Sequence, residues 1–255
     1  MTSAPMNIKS GPFYNPDGFR HAAPMAGSHF WFRGRNRLIC WALARYFPRM
    51  KSFCEVGCGG GIVLRAIERE FSDVDVIGID FLEEGLKEAR LHVKRAKLRL
   101  GNILDLPFAG ELDAIGAFDV LEHIPDHAAA CANLYRALKS GGGLVITVPQ
   151  HPFLWSFTDE AGFHKRRYER SELAHIVETA GFRILRLTSF VSLLLPVLWL
   201  SRLRVSSTEA ALTELRVGRL SNAVCGAAMT LERWLIRSGV SLPMGGSLLL
   251  IAVRD

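Results

Sequence analysis

The 255-residue chain is 49% hydrophobic with a formal net charge of +6 at pH 7, a composition that suits one large α/β domain with a buried core. Its lysines and arginines form no run interleaved with aromatic residues, so we expect no nucleic-acid partner. The five cysteines form no C-x-x-C pair and the N-terminus has no apolar signal-peptide segment, so we expect reduced thiols in a cytoplasmic protein.

The first part of the chain combines a loose segment with an aromatic cluster. Residues 1–28 are rich in Gly, Pro, Ser and Asn and predict a flexible arm. An amphipathic pattern then predicts a helix over residues 35–47, which Pro48 ends. The aromatic residues before that helix either anchor it in the core or cap a ligand, with Arg33 or Arg37 facing a carboxylate of that ligand.

A glycine-rich turn follows at residues 53–61, FCEVGCGGG. The apolar lead-in and the helical pattern after the turn predict a buried strand, a tight turn and a helix. Such a turn brings backbone N–H groups and a helix N-terminus close to a nucleotide-like ligand, and glycines leave room for it. A dinucleotide fingerprint would need glycine where Ile62 stands, and the carboxylate of Glu55 suits a ligand with a cationic end.

The pattern E-x-G-x-G-x-G resembles motif I of the class I S-adenosylmethionine-dependent methyltransferases. The resemblance implies that Glu55 lies near the aminoacyl end of S-adenosylmethionine. It also implies that the turn formed by Gly57, Cys58, Gly59 and Gly61 lies beneath the ribose and the sulfonium. Methyltransferases of this type are also similar to this chain in carrying an aromatic cluster and an arginine before motif I.

A second apolar strand, predicted over residues 74–80, ends in Asp80. In a doubly wound fold, an acid about 20 residues after the glycines accepts hydrogen bonds from ribose hydroxyls. The alternative for Asp80 is an N-cap of the next helix. The family resemblance places Phe81 against the adenine. A helix over residues 83–95 and a short strand over residues 98–100 are predicted next.

Residues 101–108, GNILDLPF, resemble the G-D-A-x-x-L-P-F loop of the same family. In the family, the acid of this loop accepts a hydrogen bond from the adenine amino group. Asn102 replaces that acid here, and its amide oxygen can still accept. The resemblance also places Ile103 in the cofactor site. The alternative for Asn102 is an Asx turn before Pro107.

Residues 119–125, DVLEHIP, resemble the D-V-L-E-H motif of the ubiquinone-biosynthesis methyltransferases. The strand predicted over residues 113–120 ends here, at the edge where a doubly wound sheet binds ligands, so Asp119 and His123 are assigned to the cofactor site. Some relatives hold a divalent metal with residues that match Asp119, Glu122 and His123, whereas many use none. We predict no metal from the sequence. The alternative for the segment is a structural turn beneath the cofactor.

A helix that Asp126 caps is predicted to end at residues 140–141, and a strand over residues 142–149 follows. Residues 151–168 come next, at the carboxyl edge of the sheet where acceptors bind. They resemble the H-x-x-L-W-S…D-E…H-x-R-R-Y stretch of bacterial methyltransferases linked to cell-surface glycan or lipid pathways.

This polar segment holds the candidate catalytic groups. A hydroxyl or amine acceptor must lose a proton, and histidine is the natural base near neutral pH. We predict His151 as the base, with His164 and Tyr168 as further choices. The basic run at residues 165–167 suits a phosphate or carboxylate of the acceptor. The alternative is a hydrogen-bonded surface loop.

A helix over residues 171–181 and a strand over residues 182–190 complete most of the predicted sheet, whose last strand covers residues 247–253. In the minimal fold of the family these last two strands form a hairpin. Here residues 191–246 separate them, which predicts a helical insertion.

The insertion begins with an apolar run at residues 193–200, which is too short and too interrupted by Pro196 to span a membrane as one helix. Two helices are predicted after it, near residues 208–220 and 221–237. The second has an apolar face formed by Val224, Ala228, Leu231 and Leu235. Flanking arginines fit a membrane-surface element or a lid over a lipid-linked acceptor. The alternative is a helical subdomain that covers the sheet edge or forms a homodimer.

Together the elements predict a Rossmann-like α/β fold, doubly wound and mostly parallel, with an antiparallel last strand and a helical insertion before it. The predicted methyltransferase domain covers residues 29–255. Its function would be methyl transfer from S-adenosylmethionine to oxygen or nitrogen of a small-molecule, glycan or lipid-linked acceptor. The alternatives are a cofactor-binding module without turnover and a nucleotide-dependent oxidoreductase. The expected location is the cytoplasm, with the inner face of the membrane as a second choice.

Overall fold

The computed structural model describes residues 27–202 and 217–255. The helices in this part of the chain are α1 (Phe30–Tyr46), α2 (Ile62–Glu70), α3 (Glu83–His92), α4 (His127–Ala137), α5 (Phe157–Ala161), α6 (Arg170–Thr179), α7 (Leu195–Arg202) and α8 (Arg219–Arg237). The strands are β1 (Ser52–Val56), β2 (Asp75–Asp80), β3 (Lys97–Leu100), β4 (Leu112–Phe118), β5 (Leu138–Pro149), β6 (Phe182–Phe190) and β7 (Ser247–Arg254). Two 3-10 turns lie at Leu121–His123 and Pro152–Leu154. Most of the predicted arm at residues 1–28 and of the predicted helix at residues 208–220 lies outside the described residues.

The seven described strands form one sheet in the order β3-β2-β1-β4-β5-β7-β6. Neighbouring strands pair in parallel except β7, which is antiparallel to both β5 and β6. Helices join the consecutive parallel neighbours, because parallel strands cannot be joined by a tight turn. The strand order reverses between β1 and β4, where the carboxyl ends of the strands leave a crevice for ligands. The arrangement confirms the predicted fold class.

Helices cover both faces of the sheet, because alternate side chains of a strand point to opposite sides. In β1, Phe53 belongs to the buried cluster that contains Leu64 of α2, whereas Val56 belongs to the cluster that contains Leu134 of α4. Burying an apolar side chain of this size contributes about 1.5–3 kcal/mol. Packing on both faces therefore fixes β1, and with it the glycine turn that follows.

The start of α1 differs from the sequence prediction. The helix begins at Phe30 rather than at residue 35, because His29 caps it and its Nδ1 accepts a hydrogen bond from the N–H of Trp31 at 3.3 Å. An earlier start adds a full turn that carries the aromatic cluster. The aromatic residues Phe30, Trp31 and Phe32 are thus the first residues of the helix and do not precede it. The end of α4 also comes early, at Ala137, because the chain passes directly into β5.

The two described helices of the insertion, α7 and α8, lie between β6 and β7, and α8 packs on α1. The apolar face predicted for α8 is not its buried face, because Val224 and Leu231 are 61% and 54% exposed. The buried residues are Met229, Glu232 and Ile236. An apolar pattern could not identify this face, since one of its buried side chains is an acid. Of the helices that the structure describes, none has the length and apolar character needed to cross a membrane.

Candidate functional site

The glycine turn lies at the carboxyl end of β1, where the strand order reverses. Gly57, Gly59 and Gly61 have φ angles of 72°, 49° and 75°, a conformation that favours glycine. The N–H groups of Gly57 and Cys58 both donate to the carbonyl of Ile79 in β2, at 2.7 and 3.0 Å. The turn is therefore tied to the neighbouring strand. Its remaining surface, without side chains at the glycines, suits a close-fitting ligand.

Asp80, at the end of β2, is buried and closes the glycine turn. Its Oδ2 accepts a hydrogen bond from the N–H of Gly59 at 2.7 Å, and its Oδ1 accepts one from the N–H of Leu82 at 2.9 Å. Burial raises the pKa of Asp80, and these N–H groups oppose that rise. Leu82 and not Asp80 is the N-cap residue of α3. Each carboxylate oxygen keeps a second lone pair that can accept from a ligand hydroxyl. Phe81 is exposed next to it in the chain.

Glu55 lies inside β1 and is only 2% exposed. Its Oε2 atom is buried and has no hydrogen-bond partner within the described part of the chain. Burial raises the pKa of Glu55 well above its usual range, and the charge of Arg35 opposes that rise. An unpaired buried carboxyl oxygen is costly, so a donor supplied by a ligand would stabilise it.

Arg35 is the arginine of α1 that faces this site. Its guanidinium forms an ion pair with Asp119 and lies 4.3 Å from the ring centroid of Trp31. The sequence suggested Arg33 or Arg37 for this position, but both line a groove between α1 and α8 instead. The i, i+4 spacing of Trp31 and Arg35 on one helix face was the signal that could have identified Arg35.

Asp119 follows β4 with a φ of 56°, an uncommon backbone conformation for a residue other than glycine. Its N–H donates to the carbonyl of Thr147 at 2.8 Å, and its Oδ1 accepts from the Thr147 hydroxyl at 3.2 Å. Its Oδ2 pairs with Arg35. Contacts from β5 and α1 thus hold this carboxylate at the crevice, as is common for strained backbone at functional sites.

The loop after β3 contains the predicted adenine contacts. The Oδ1 of Asn102 accepts a hydrogen bond from the N–H of Leu104 at 3.0 Å, which is the Asx turn of the alternative interpretation. The same oxygen keeps a second lone pair for a ligand amino group. Ile103 is buried and fixes the loop against the core.

Three side chains converge beside the end of β4: Glu122 and His123 of the 3-10 turn, and His164 from the segment after α5. Each offers one metal-ligand atom, and these atoms lie within 4.8 Å of one another. The rings of His123 and His164 meet edge to face with centroids 4.8 Å apart. The group differs from the set Asp119, Glu122 and His123 suggested by the motif, since Asp119 is paired with an arginine and His164 takes part instead. We call Glu122, His123 and His164 the Glu-His-His cluster.

His151 follows β5 with a φ of 63° and is largely buried. Its ring stacks on Phe153 with centroids 4.9 Å apart, and its Nδ1 lies 3.7 Å from a carboxylate oxygen of Glu169. Burial lowers the pKa of His151, and Glu169 opposes that change. The Nε2 atom is buried with no hydrogen-bond partner among the described residues. A neutral imidazole of this kind can accept a proton.

Tyr168 is fully buried, which does not fit its predicted role as a base. Its hydroxyl donates to the carbonyl of Leu121 at 3.1 Å and lies 2.8 Å from Nδ1 of His127. Burial, together with the charge of Glu122, raises the pKa of Tyr168. The phenol therefore keeps its proton and holds the 3-10 turn in place.

The basic run at residues 165–167 does not form a common anion clamp. Arg167 is buried, with its Nε donating to Asp159 at 2.8 Å and its Nη1 to a backbone carbonyl at 3.0 Å. Arg166 donates to another backbone carbonyl at 3.2 Å. These two cations hold the segment in shape, so the predicted contact with an acceptor phosphate or carboxylate finds no support in their positions.

Exposed apolar side chains cluster on the segment after β5 and on α7. We call them the apolar rim; they are Phe153, Trp155, Phe157, Val197 and Trp199. The two segments are joined because Arg202, at the end of α7, donates a hydrogen bond to the hydroxyl of Ser156. Large apolar side chains that form a contiguous exposed patch usually mark a binding surface.

A family profile described as a methyltransferase domain matches residues 28–187, which include the glycine turn, Asp80, the Glu-His-His cluster and His151. The chain belongs to this methyltransferase family. The match confirms the resemblance inferred from the sequence motifs. The individual residue assignments in the cofactor site stay predictions that the geometry above supports.

Curated relatives align with part of the methyltransferase chain. A probable S-adenosylmethionine-dependent methyltransferase of Mycolicibacterium smegmatis is 30% identical over 172 residues, which cover 66% of this chain and 65% of the relative. A ubiquinone biosynthesis O-methyltransferase of Psychrobacter arcticus is 36% identical over 116 residues, which cover 42% of this chain and 44% of the relative. The alignments therefore span less than two thirds of the length of these relatives.

Solved structures share the fold of this methyltransferase. A chain assigned as a methyltransferase, in complex with the Trm112 methyltransferase activator of Haloferax volcanii, has a TM-score of 0.59 at 18% identity, covering 94% of this chain and 96% of that one. Phosphoethanolamine N-methyltransferase 2 of Haemonchus contortus, in complex with S-adenosyl-L-methionine, has a TM-score of 0.62 at 18% identity, covering 96% of this chain and 58% of that one. At such identities the likeness concerns the fold alone.

Proposed function

We propose that this chain transfers a methyl group from S-adenosylmethionine to a hydroxyl or amine of a small molecule with an apolar part. The observation that carries the proposal is the glycine turn at the carboxyl end of β1, which Asp80 closes. The largely buried His151 follows β5 at the same edge of the sheet. Bound S-adenosylmethionine supplies a reactive methyl group, so the protein needs mainly to align the acceptor and remove a proton.

The residues around the turn fit the cofactor. Asp80 has lone pairs for ribose hydroxyls, and the glycines leave space under the ligand. The aminoacyl end of S-adenosylmethionine carries both a carboxylate and an ammonium group. Arg35 offers a positive charge to the carboxylate of the cofactor. The unpartnered Oε2 of Glu55 and the carboxylate of Asp119 offer acceptors for its ammonium group.

His151 is the proposed base. Its lowered pKa keeps the imidazole neutral near pH 7, and Glu169 stabilises the positive charge that a transferred proton creates. The stack on Phe153 fixes the ring plane. A further predicted base, His164, donates from Nδ1 to the carboxylate of Asp159 at 2.9 Å and belongs to the Glu-His-His cluster.

The apolar rim supports an acceptor with a hydrocarbon part. Large exposed side chains such as Phe153, Trp155 and Trp199 would contact such a chain while the reactive group reaches the crevice. The Psychrobacter relative is named for ubiquinone biosynthesis, which agrees with an acceptor of this class. A lipid-linked acceptor would also bring the protein to the inner face of a membrane, the second location expected from the sequence.

The first test is calorimetric titration of the full chain with S-adenosylmethionine, S-adenosylhomocysteine and NAD. We expect the first two to bind and NAD not to bind, because the turn lacks the last glycine of the dinucleotide fingerprint. Tight NAD binding without any response to S-adenosylhomocysteine would instead favour the oxidoreductase alternative.

The second test measures transfer of a labelled methyl group to a phenol with a long alkyl chain and to the same phenol without it. His151→Ala should lower turnover by about 10²–10⁴ while S-adenosylhomocysteine affinity is kept. His92→Ala, a surface histidine paired with Glu88, is the matched control and should behave as wild type. Trp199→Ser should raise KM for the alkylated phenol only. Cofactor binding without transfer to either phenol would favour a binding module without turnover.

A further inference from the structure

Glu122 is an acid buried beside two histidines. It is fully buried, and neither carboxylate oxygen has a hydrogen-bond partner in residues 27–202 and 217–255. The two arginines whose charges act on Glu122 are paired with other acids, Arg35 with Asp119 and Arg167 with Asp159. A buried carboxylate without a pair or a hydrogen bond is costly. A bound cation would therefore stabilise this site.

Two imidazoles share the space with Glu122. The ligand atoms of Glu122, His123 and His164 lie within 4.8 Å of one another. Small side-chain adjustments would bring all three to one ion at about 2.0–2.2 Å, the usual range for nitrogen and oxygen ligands.

Asp159 supports His164 as an outer carboxylate supports a metal-bound histidine. Its Oδ1 lies 2.9 Å from Nδ1 of His164 and accepts from Nε of Arg167 at 2.8 Å. Its Oδ2 accepts from the N–H of Ser156 at 2.9 Å. A carboxylate on one ring nitrogen orients the other nitrogen toward a metal. This arrangement leaves Nε2 of His164 for the cluster.

We propose that Glu122, His123 and His164 form a binding site for a divalent first-row transition-metal ion, such as Zn²⁺ or Mn²⁺. Two imidazoles and one carboxylate suit these ions, whereas Mg²⁺ and Ca²⁺ prefer oxygen ligands. The ion balances the charge of Glu122 and, with three protein ligands, keeps coordination positions open toward the crevice. Within the described part of the chain, no second group of three such ligands is this close together.

The test uses the full chain, freed of metal by chelation and dialysis. Co²⁺ binding is followed by visible absorption, and Zn²⁺, Mn²⁺ and Mg²⁺ are compared by calorimetry. We expect one ion per chain, with Zn²⁺ or Mn²⁺ preferred to Mg²⁺. His164→Ala and Glu122→Gln should weaken Co²⁺ binding more than tenfold, and Asp159→Asn should weaken it by about 10–100-fold. The matched control His92→Ala should bind Co²⁺ as wild type does.

S-adenosylhomocysteine binding by each variant shows that its fold is kept, and His164 is partly exposed, so His164→Ala should fold. Co²⁺ affinity that is the same in wild type and in His164→Ala would overturn the proposal. A preference for Mg²⁺ would overturn it too. So would absorption typical of cobalt–thiolate bonds, since it would place the ion at a cysteine.

Discussion

Replacing Gly57 by alanine tests how closely the glycine turn packs against Val120. Gly57 has a φ of 72°, and a left-handed backbone costs an L-residue about 1–2 kcal/mol. A Cβ atom there would lie 3.1 Å from Cγ1 of Val120 and closer still to Cγ2. Val120 is buried and β-branched, so it has little freedom to move. Overpacking costs about 1–3 kcal/mol, so Gly57→Ala should lower the free energy of unfolding by about 2–5 kcal/mol.

Gly141→Ala is the matched control for this substitution. Gly141 has a φ of 76°, and no heavy atom lies within 4 Å of the position that its Cβ would take. Only the backbone cost applies there, so we expect a loss of about 1–2 kcal/mol. The difference between the two variants, about 1–3 kcal/mol, isolates the contact with Val120.

Urea unfolding of the full chain, followed by circular dichroism, measures both losses. The slope of the unfolding free energy against urea concentration, the m-value, should be the same in both variants as in wild type. Adding Val120→Ala to Gly57→Ala should recover part of the unfolding free energy that is lost through the contact with Val120. The affinity for S-adenosylhomocysteine should fall for Gly57→Ala but not for Gly141→Ala. Equal losses of unfolding free energy at Gly57 and Gly141 would refute the steric reasoning.

Three further predictions concern buried acids. Asp80→Asn should weaken S-adenosylhomocysteine binding by about 1–3 kcal/mol, because a charged acceptor is lost while shape is kept; unchanged affinity in calorimetry would mean that the ribose contact lies elsewhere. Glu232→Ala should lower the free energy of unfolding by about 2–4 kcal/mol, since its carboxylate accepts from three backbone N–H groups at the start of the insertion, at 2.5, 2.6 and 3.0 Å. Glu232→Gln should lose less in the same denaturation assay, and equal losses would contradict that account. Burial raises the pKa of Asp159, but the hydrogen bond from His164 and the charge of Arg167 outweigh it and hold the pKa at about 2, below the ordinary 3.8. The stabilisation from Asp159 is thus present above pH 3.8 and is lost as the pH falls toward 2. Unfolding measured across that range should depend less on pH in Asp159→Asn than in wild type.

The order of apolar runs and helical patterns was enough to predict the sheet, because parallel strands joined by helices leave few alternative arrangements. The glycine turn was equally readable. Gly57, Gly59 and Gly61 adopt positive φ angles that other residues avoid. The glycines in the sequence therefore already indicate this backbone conformation. Asp80 followed from its place at the end of the next apolar strand, a position that topology brings beside the turn.

Partners of buried polar groups were decided only by the tertiary structure. Arg35 rather than Arg33 or Arg37 faces the site, because the turn of α1 and the position of β4 select which arginine meets Asp119. The sequence ranked Tyr168 with the bases, yet its fully buried hydroxyl bonds to a backbone carbonyl. Local patterns report burial and periodicity, but a hydrogen-bond partner can come from any segment that the fold brings near.

The Glu-His-His cluster and the buried face of α8 were likewise decided by contacts between segments that are distant in sequence. The motif placed Glu122 and His123 side by side in sequence, whereas His164 joins them only because the segment after β5 folds back over the end of β4. In α8 the apolar residues Val224 and Leu231 are exposed, whereas Glu232 is buried and accepts hydrogen bonds from three backbone N–H groups. Chain-local chemistry thus determined the strands, the turn and its acid. Contacts between distant segments determined which charges are paired, because burial makes each polar group depend on a partner that the local sequence does not contain.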